Sequence, residues 1–228
     1  MSHAIDPSGH VDLFELRTGV SKKKKGPLII GINGISGAGK DTIARMVMLS
    51  LQQDHNLKVE QFAFADNLKK AASVIFGVPL EWFHDRSKKE VKIEYWDMSP
   101  REMAQQLGTE ACRKGLRDDI WIKSLQRSIL ASDVDVAFVT DVRFDNEAEY
   151  TRKPIWENTS PDHVRAVTSG GIVVNITRDT QEFIMTSGHA SEAGISDKFI
   201  DYRILNVTGN TFKAAAELQT IVLDLLKK

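Results

Sequence analysis

Short apolar runs alternate along this chain with stretches whose apolar residues recur every third or fourth position. Leu28-Ile29-Ile30-Gly31-Ile32 is the first run, and it predicts a buried strand over 28–33. Ile43, Val47 and Leu51 then repeat at i, i+4 and i+8, which predicts a helix over about 40–53 with one buried stripe. A second strand is expected at about 58–63, followed by a long, mostly helical insertion from 64 to about 118. Inside it, Ser99-Pro100-Arg101-Glu102 is a helix start, with Ser99 as N-cap, Pro100 in the first helical position and Glu102 closing a capping box. Met103, Leu107 and Ala111 form the apolar stripe of that helix; Arg101, Gln105, Thr109 and Arg113 form a polar stripe with a cation at each end.

A further helix is predicted over about 120–131, and Val134–Thr140 reads as a third strand ending at Asp141. A helix at about 145–151 gives way to a polar loop through Gly171 that holds Pro154 and Pro161. Ile172-Val173-Val174-Asn175-Ile176 is the fourth strand, 178–199 a segment without clear periodicity, 202–206 the fifth strand, and 211–227 an amphipathic helix marked by Leu218, Val222 and Leu225. Strands alternating with helices predict an α/β fold whose parallel sheet is covered on both faces. Ligands of such sheets sit beyond the carboxyl ends of the strands. The glycine-rich turn after residue 33, Asp66, Asp141, Arg178 and Asn206 all fall just past strand ends and are expected to converge there.

That turn carries the strongest chemical signal. Gly34-Ile35-Ser36-Gly37-Ala38-Gly39-Lys40-Asp41-Thr42 stands between a strand and a helix, the setting of a phosphate-binding loop. Its glycines let backbone N–H groups approach phosphate oxygens, the helix start favours an anion, and Lys40 supplies a cation for the β- and γ-phosphates. Gly34, Ser36, Gly37, Ala38, Gly39, Lys40, Asp41 and Thr42 are therefore the expected nucleotide-binding residues. The pattern G-x-x-x-x-G-K-[ST] expects a hydroxyl at position 41, where Mg²⁺ is held; this chain has a carboxylate there, with Thr42 next.

Asp141 ends a strand where an acid that orients Mg²⁺ is expected; a helix N-cap for the following segment is the lesser, compatible reading. Arg143 is a phosphate clamp or the ion-pair partner of Glu147. Asp66 and Lys69 meet a sugar, base or phosphate, or serve as an N-cap and a solvated lysine. Arg101, Gln105 and Arg113 suit an anionic acceptor, and Trp121 is core or a base-stacking platform. Arg178 adds a cation at a strand end. Phosphoryl transfer to an acceptor that is already anionic needs no strong base; it needs positioning and cations, and Lys40, Arg143 and Arg178 are the expected catalytic ones. Neither a zinc site nor a Ser/His/Asp nucleophile is persuasive among 6 scattered histidines and 1 cysteine, and His189 is read as structural.

Composition narrows the picture further. A net charge of −1 offers no global field for nucleic acid or an anionic membrane, so neither is expected as a partner. The single cysteine, Cys112, fits a reducing compartment, and no apolar stretch approaches the roughly 18 residues of a spanning helix, so a cytoplasmic protein is expected. Residues 1–26, with Lys22–Lys25 as a solvated linker, read as an extension to one domain over 27–228.

Taken in order, Gly39-Lys40-Asp41-Thr42, Phe64-Ala65-Asp66 with Lys69, Ser99-Pro100-Arg101-Glu102, Leu107-Gly108-Thr109-Glu110, Asp119-Ile120-Trp121, Asp141-Val142-Arg143-Phe144 with Asn146-Glu147, and His189-Ala190-Ser191-Glu192 resemble the bacteriophage deoxynucleoside monophosphate kinases, within the adenylate-kinase-like P-loop group. The likeness covers about 28–228. It implies a P-loop three-layer sandwich with a mainly parallel five-stranded sheet, a monophosphate-binding insertion at 64–118 and a lid at 178–199. It implies transfer of the ATP γ-phosphate to a deoxynucleoside monophosphate bound by the 64–118 region; the residue reading expects the acceptor at Asp66, Lys69, Arg101, Gln105, Arg113 and Trp121, and Mg²⁺ at Asp41 and Asp141. Adenine is then expected near Asn206 and Thr208. The chain acts as a monomer or homodimer in this reading. A kinase for another phosphorylated acceptor, such as dephospho-coenzyme A, and a non-catalytic nucleotide-binding regulator are the alternatives.

Overall fold

The computed structural model describes residues 26–153, 156–160, 163–166, 170–179 and 194–227. In chain order the elements are β1 (Leu28–Asn33), α1 (Lys40–His55), β2 (Val59–Phe62), α2 (Ala65–Phe76), a 3₁₀ turn (Leu80–Phe83), α3 (Pro100–Gln105) continuing as a π-helix (Gln106–Lys114), and α4 (Ile120–Ala131). They continue with β3 (Val136–Val139), α5 (Asp145–Arg152), β4 (Trp156–Ser160), β5 (His163–Ala166), β6 (Gly171–Arg178), a 3₁₀ turn (Asp197–Phe199), β7 (Tyr202–Asn206) and α6 (Thr211–Leu226).

Five strands form one sheet in the order β2-β3-β1-β6-β7, every pairing parallel. The expected α/β architecture is thus present, with β1 central. Alternation along the strands builds the layers on either side. Ile30 and Ile32 of β1 and Val136 and Phe138 of β3 face a core completed by Ile43, Val47 and Leu51 of α1 and Leu218 and Val222 of α6. Ile29, Ala137 and Val139 point the other way, onto Trp121, Ile122, Leu125 and Ile129 of α4 and Ala148 of α5. A third cluster of Ala72, Val78, Phe83 and Met103 gives the insertion its own small core.

Two parts differ from the sequence reading. The polar loop expected from 152 to 170 contains an antiparallel pair, β4 with β5, whose register shifts between Asn158 and Ser160. The helix begun at Ser99 does not keep one apolar stripe: Met103, Gly108 and Arg113 are buried, whereas Ala111 is exposed. The stride of five follows from the π-helical stretch, whose turns hold more residues than an α-turn and so rotate the later side chains off the four-residue pattern. The capping box is present as expected: the Glu102 amide donates to Ser99 Oγ (3.3 Å) and the Ser99 amide to Glu102 (2.8 Å). Residues 1–25, most of the expected lid and His189 lie outside the described residues. No helix among those described is long and apolar enough to cross a membrane.

Candidate active site

The loop between β1 and α1 is held from beneath by the ends of two neighbouring strands. Arg178 at the end of β6 donates to the Gly37 carbonyl (3.2 Å), and Asn206 at the end of β7 donates to the Ala38 carbonyl (2.9 Å). Asn206 is 1% exposed, with Oδ1 unpaired among the described residues. Its approach explains Gly39: the backbone there has φ +90°, and a Cβ would stand 2.4 Å from Asn206 Nδ2. Lys40 starts α1 and donates to the carbonyls of Gly34 (2.6 Å) and Ile35 (2.9 Å). Burial, with Arg143 nearby, brings its ammonium down to about 8, against the pull of Asp41 and Asp141. A site that holds a lysine in this way favours an anion, because phosphate would restore what burial removes. Ser36, Asp41 and Thr42 are exposed on the loop and the first turn of α1.

The turn after β3 is fastened on every side. The Val142 amide donates to the Ile32 carbonyl (3.3 Å), and Asn33 returns a bond to the Val142 carbonyl (2.8 Å), so the turn is docked against the end of β1. Asp141 receives the Phe64 and Ala65 amides (2.7 and 3.0 Å), capping α2 rather than the segment that follows it in sequence. Burial pushes its carboxyl above the ordinary range, while Arg143 and those two amides pull it down. Glu147 was one of two expected partners for the Arg143 side chain, but the structure gives it to Arg113, 8% exposed, whose guanidinium also lies 4.2 Å over the Phe144 ring. The Arg143 guanidinium is left without a hydrogen bond or ion pair among the described residues. Burial and Asp141 push Glu147 up to about 7, against Arg113 and the amides of Arg143 and Phe144.

Beyond the ends of β2 and β3 lies an open cleft of about 900 Å³, part of it continuous with solvent. Phe64, Phe83, Trp121 and Phe144 give it aromatic walls, and Lys69, Lys89, Arg101 and Arg143 bring cations to it. The carboxylates on its lining are Asp141 and Glu147. Burial lowers the Lys69 and Lys89 ammonium groups, and Arg101 reinforces the effect at Lys89. Arg101 is itself paired with Glu90 (2.8 Å). Flat apolar walls beside a cluster of cations suit a ligand that has a planar ring at one end and an anion at the other.

Of the residues expected to hold an acceptor, Lys69, Arg101, Gln105, Arg113 and Trp121 line this cleft. Asp66 does not; it receives the Ala63 amide (3.0 Å) at the start of α2. Arg113 is on the wall but its donors are engaged with Glu147 and the Asp118 carbonyl (3.0 Å). Trp121 is both core and lining: it is 7% exposed and donates to the Gly108 carbonyl (3.0 Å), bracing the π-helix. Asn206 lies under the loop, and Thr208 donates to Asp179 (2.7 Å) just past β6. Lys89 and Phe83 are additions that the sequence reading missed. Ser87-Lys88-Lys89-Glu90 looks like any solvated charged run, and only the tertiary fold turns one of its lysines inward.

Among the described residues no group of three or more His, Cys, Asp or Glu could hold a metal ion by itself. Asp41 and Asp141 both act electrostatically on Lys40, Asp41 exposed and Asp141 with its two oxygens on the Phe64 and Ala65 amides.

No family model matches the chain. It is similar to a deoxynucleoside-5'-monophosphate kinase of Escherichia phage T5, with 27% identity over an alignment that covers 78% of this chain and 89% of the relative. With a five-stranded parallel sheet and a lysine-bearing glycine loop at its centre, the chain is similar to a phage deoxynucleoside monophosphate kinase over most of its length.

Proposed function

We propose that the protein transfers the γ-phosphate of ATP to a deoxynucleoside monophosphate, releasing a deoxynucleoside diphosphate and ADP. One observation carries the reading: Asp141 and Arg143 act on Lys40 of the glycine loop and at the same time line the aromatic, cationic cleft. A donor in the loop and an acceptor in the cleft would meet at that turn.

The acceptor's phosphate oxygen attacks the γ-phosphorus, and the bond from the γ-phosphorus to the β–γ bridging oxygen breaks as ADP leaves. Both partners are anionic, so the barrier is dominated by like charge, and cations between them lower it. Lys40 sits on the donor side, Lys69, Lys89 and Arg101 on the acceptor side, and Arg143 between. Phe83, Trp121 and Phe144 supply flat surfaces for a base. Arg178 supports the loop through Gly37, so its catalytic role here is to hold the donor site in shape. Mg²⁺ held by Asp41 and Asp141 would supply further charge neutralisation on the donor phosphates.

The test is Mg-ATP-dependent ADP release with each of the four deoxynucleoside monophosphates, with ribonucleotides as comparison. We expect stimulation by at least one, reduced roughly a hundredfold or more in Lys40→Ala, the scale seen when a donor to developing charge is removed. ATP binding without stimulation by any monophosphate would sink the proposal and favour another phosphorylated acceptor or a regulatory role.

A further inference from the structure

We infer that Glu147 is a positioning residue for Arg143, with the Arg113–Glu147 pair fixing the short peptide from which Arg143 reaches into the cleft. The inference rests on the kinase reading above. Glu147 is 2% exposed and its carboxylate receives three donors at once. One carboxylate oxygen accepts the amides of Arg143 (2.9 Å) and Phe144 (3.2 Å). The other takes the Arg113 guanidinium, which is itself tied to the Asp118 carbonyl (3.0 Å) and stacked on Phe144. The turn is therefore gripped through its backbone by α5 and through an aromatic ring by the π-helix.

The contrast with Arg143 gives the arrangement its purpose. Its main chain is held by Glu147, yet its guanidinium makes no hydrogen bond or ion pair among the described residues and acts on Asp141 only through space. A long, free side chain reaches a reacting phosphate reproducibly only if its root is fixed, since displacements near one ångström cost about a hundredfold in rate. Glu147 also occupies the third helical position of α5, where glutamate and glutamine serve equally in a capping box. The helix N-terminus gains only modestly from the negative charge there. The buried Arg113 adds a direct counter-ion to that charge, which a glutamine could not pair.

The experiment is a double-mutant cycle on the full chain with Glu147→Gln and Arg143→Ala, read as kcat and KM for the best deoxynucleoside monophosphate and KM for ATP. Glu147→Gln should lower kcat/KM for the monophosphate by roughly tenfold or more, with KM for ATP within about threefold of wild type. In the Arg143→Ala background it should add less than about twofold, because the residue it positions is gone. Losses that multiply in the double variant, or Glu147→Gln kinetics equal to wild type, would overturn the inference and leave Glu147 a helix cap. If circular dichroism shows that Glu147→Gln does not fold, Arg113→Lys, which keeps the charge but not the planar fork, enters the same cycle with the same criteria. A wild type that phosphorylates no monophosphate overturns the kinase reading and this inference with it; an active wild type with multiplicative losses overturns this inference alone.

Discussion

Arg113 and Arg143 line the same cleft, yet the first is 8% exposed with its nitrogens on Glu147 and Asp118, while the second is exposed with none of its guanidinium nitrogens engaged. Substituting them should separate stability from chemistry. Arg113→Ala leaves Glu147 buried beside Asp141 with no counter-charge, and removing one member of a buried pair costs about 3–5 kcal/mol. In a chain of this size that is a fall in Tm of roughly 6–20 °C. Arg143→Ala removes no buried contact and should leave Tm within about 2 °C while abolishing most turnover. Melting curves followed by circular dichroism, beside rates, check both; equal Tm losses would contradict the assignment. From sequence alone the two arginines looked alike, each a cation near a strand end or on a polar stripe. What distinguishes them is which one Glu147 meets, and that is a tertiary fact.

At the level of elements, the strands and the helices on the sheet were legible because each carries a period that burial enforces. Ile29 against Ile30, and Ala137 against Phe138, go to opposite cores as alternation requires. The helix start at Ser99 was legible too, since Ser-x-x-Glu with proline is a local signal. The π-helix was not. Its residues show a four-residue apolar spacing that an α-helix would use, and only packing of Gly108 against Leu68 and of Arg113 against Glu147 selects the wider turn. A wider turn amounts to one residue too many for α geometry. Deleting the exposed Glu110 should restore the α pitch and turn Arg113 by about 100° relative to the segment before it. The expected result is a loss of thermal stability at least equal to that of Arg113→Ala; a deletion variant melting with wild type would show that the wide turn is not what places Arg113. The β4–β5 pair was hidden for a different reason: Trp156–Ser160 and His163–Ala166 are five and four residues long, too brief to carry a readable alternation.

Across the whole molecule the charge is nearly balanced, at −1, so the cations around Lys40 and the cleft are a local concentration within a neutral body. Burial of Lys40 makes the loop sensitive to pH. Lys40 falls from 10.5 to about 8 on folding, so holding it protonated costs the free protein stability below pH 8, and the cost fades as pH rises toward 10.5. Bound phosphate favours the ammonium, so ATP should raise Tm most near pH 7 and progressively less above pH 8. Thermal shifts at saturating Mg-ATP between pH 7 and 9.5 measure this; a constant shift would mean that Lys40 is not the phosphate's cation. A last consequence concerns the order in which the chain is made. The glycine loop is synthesised early, but β1 on which it stands waits for distant partners, with Leu28 pairing to Val136 and Ile29 to Gly171. The braces under the loop, Arg178 and Asn206, come later still. A nascent or prematurely terminated chain that stops at residue 170 therefore carries the loop's letters with neither brace and one flank of β1 open. Whatever the loop captures, it captures as a property of the finished polypeptide, and translation fragments are silent by construction.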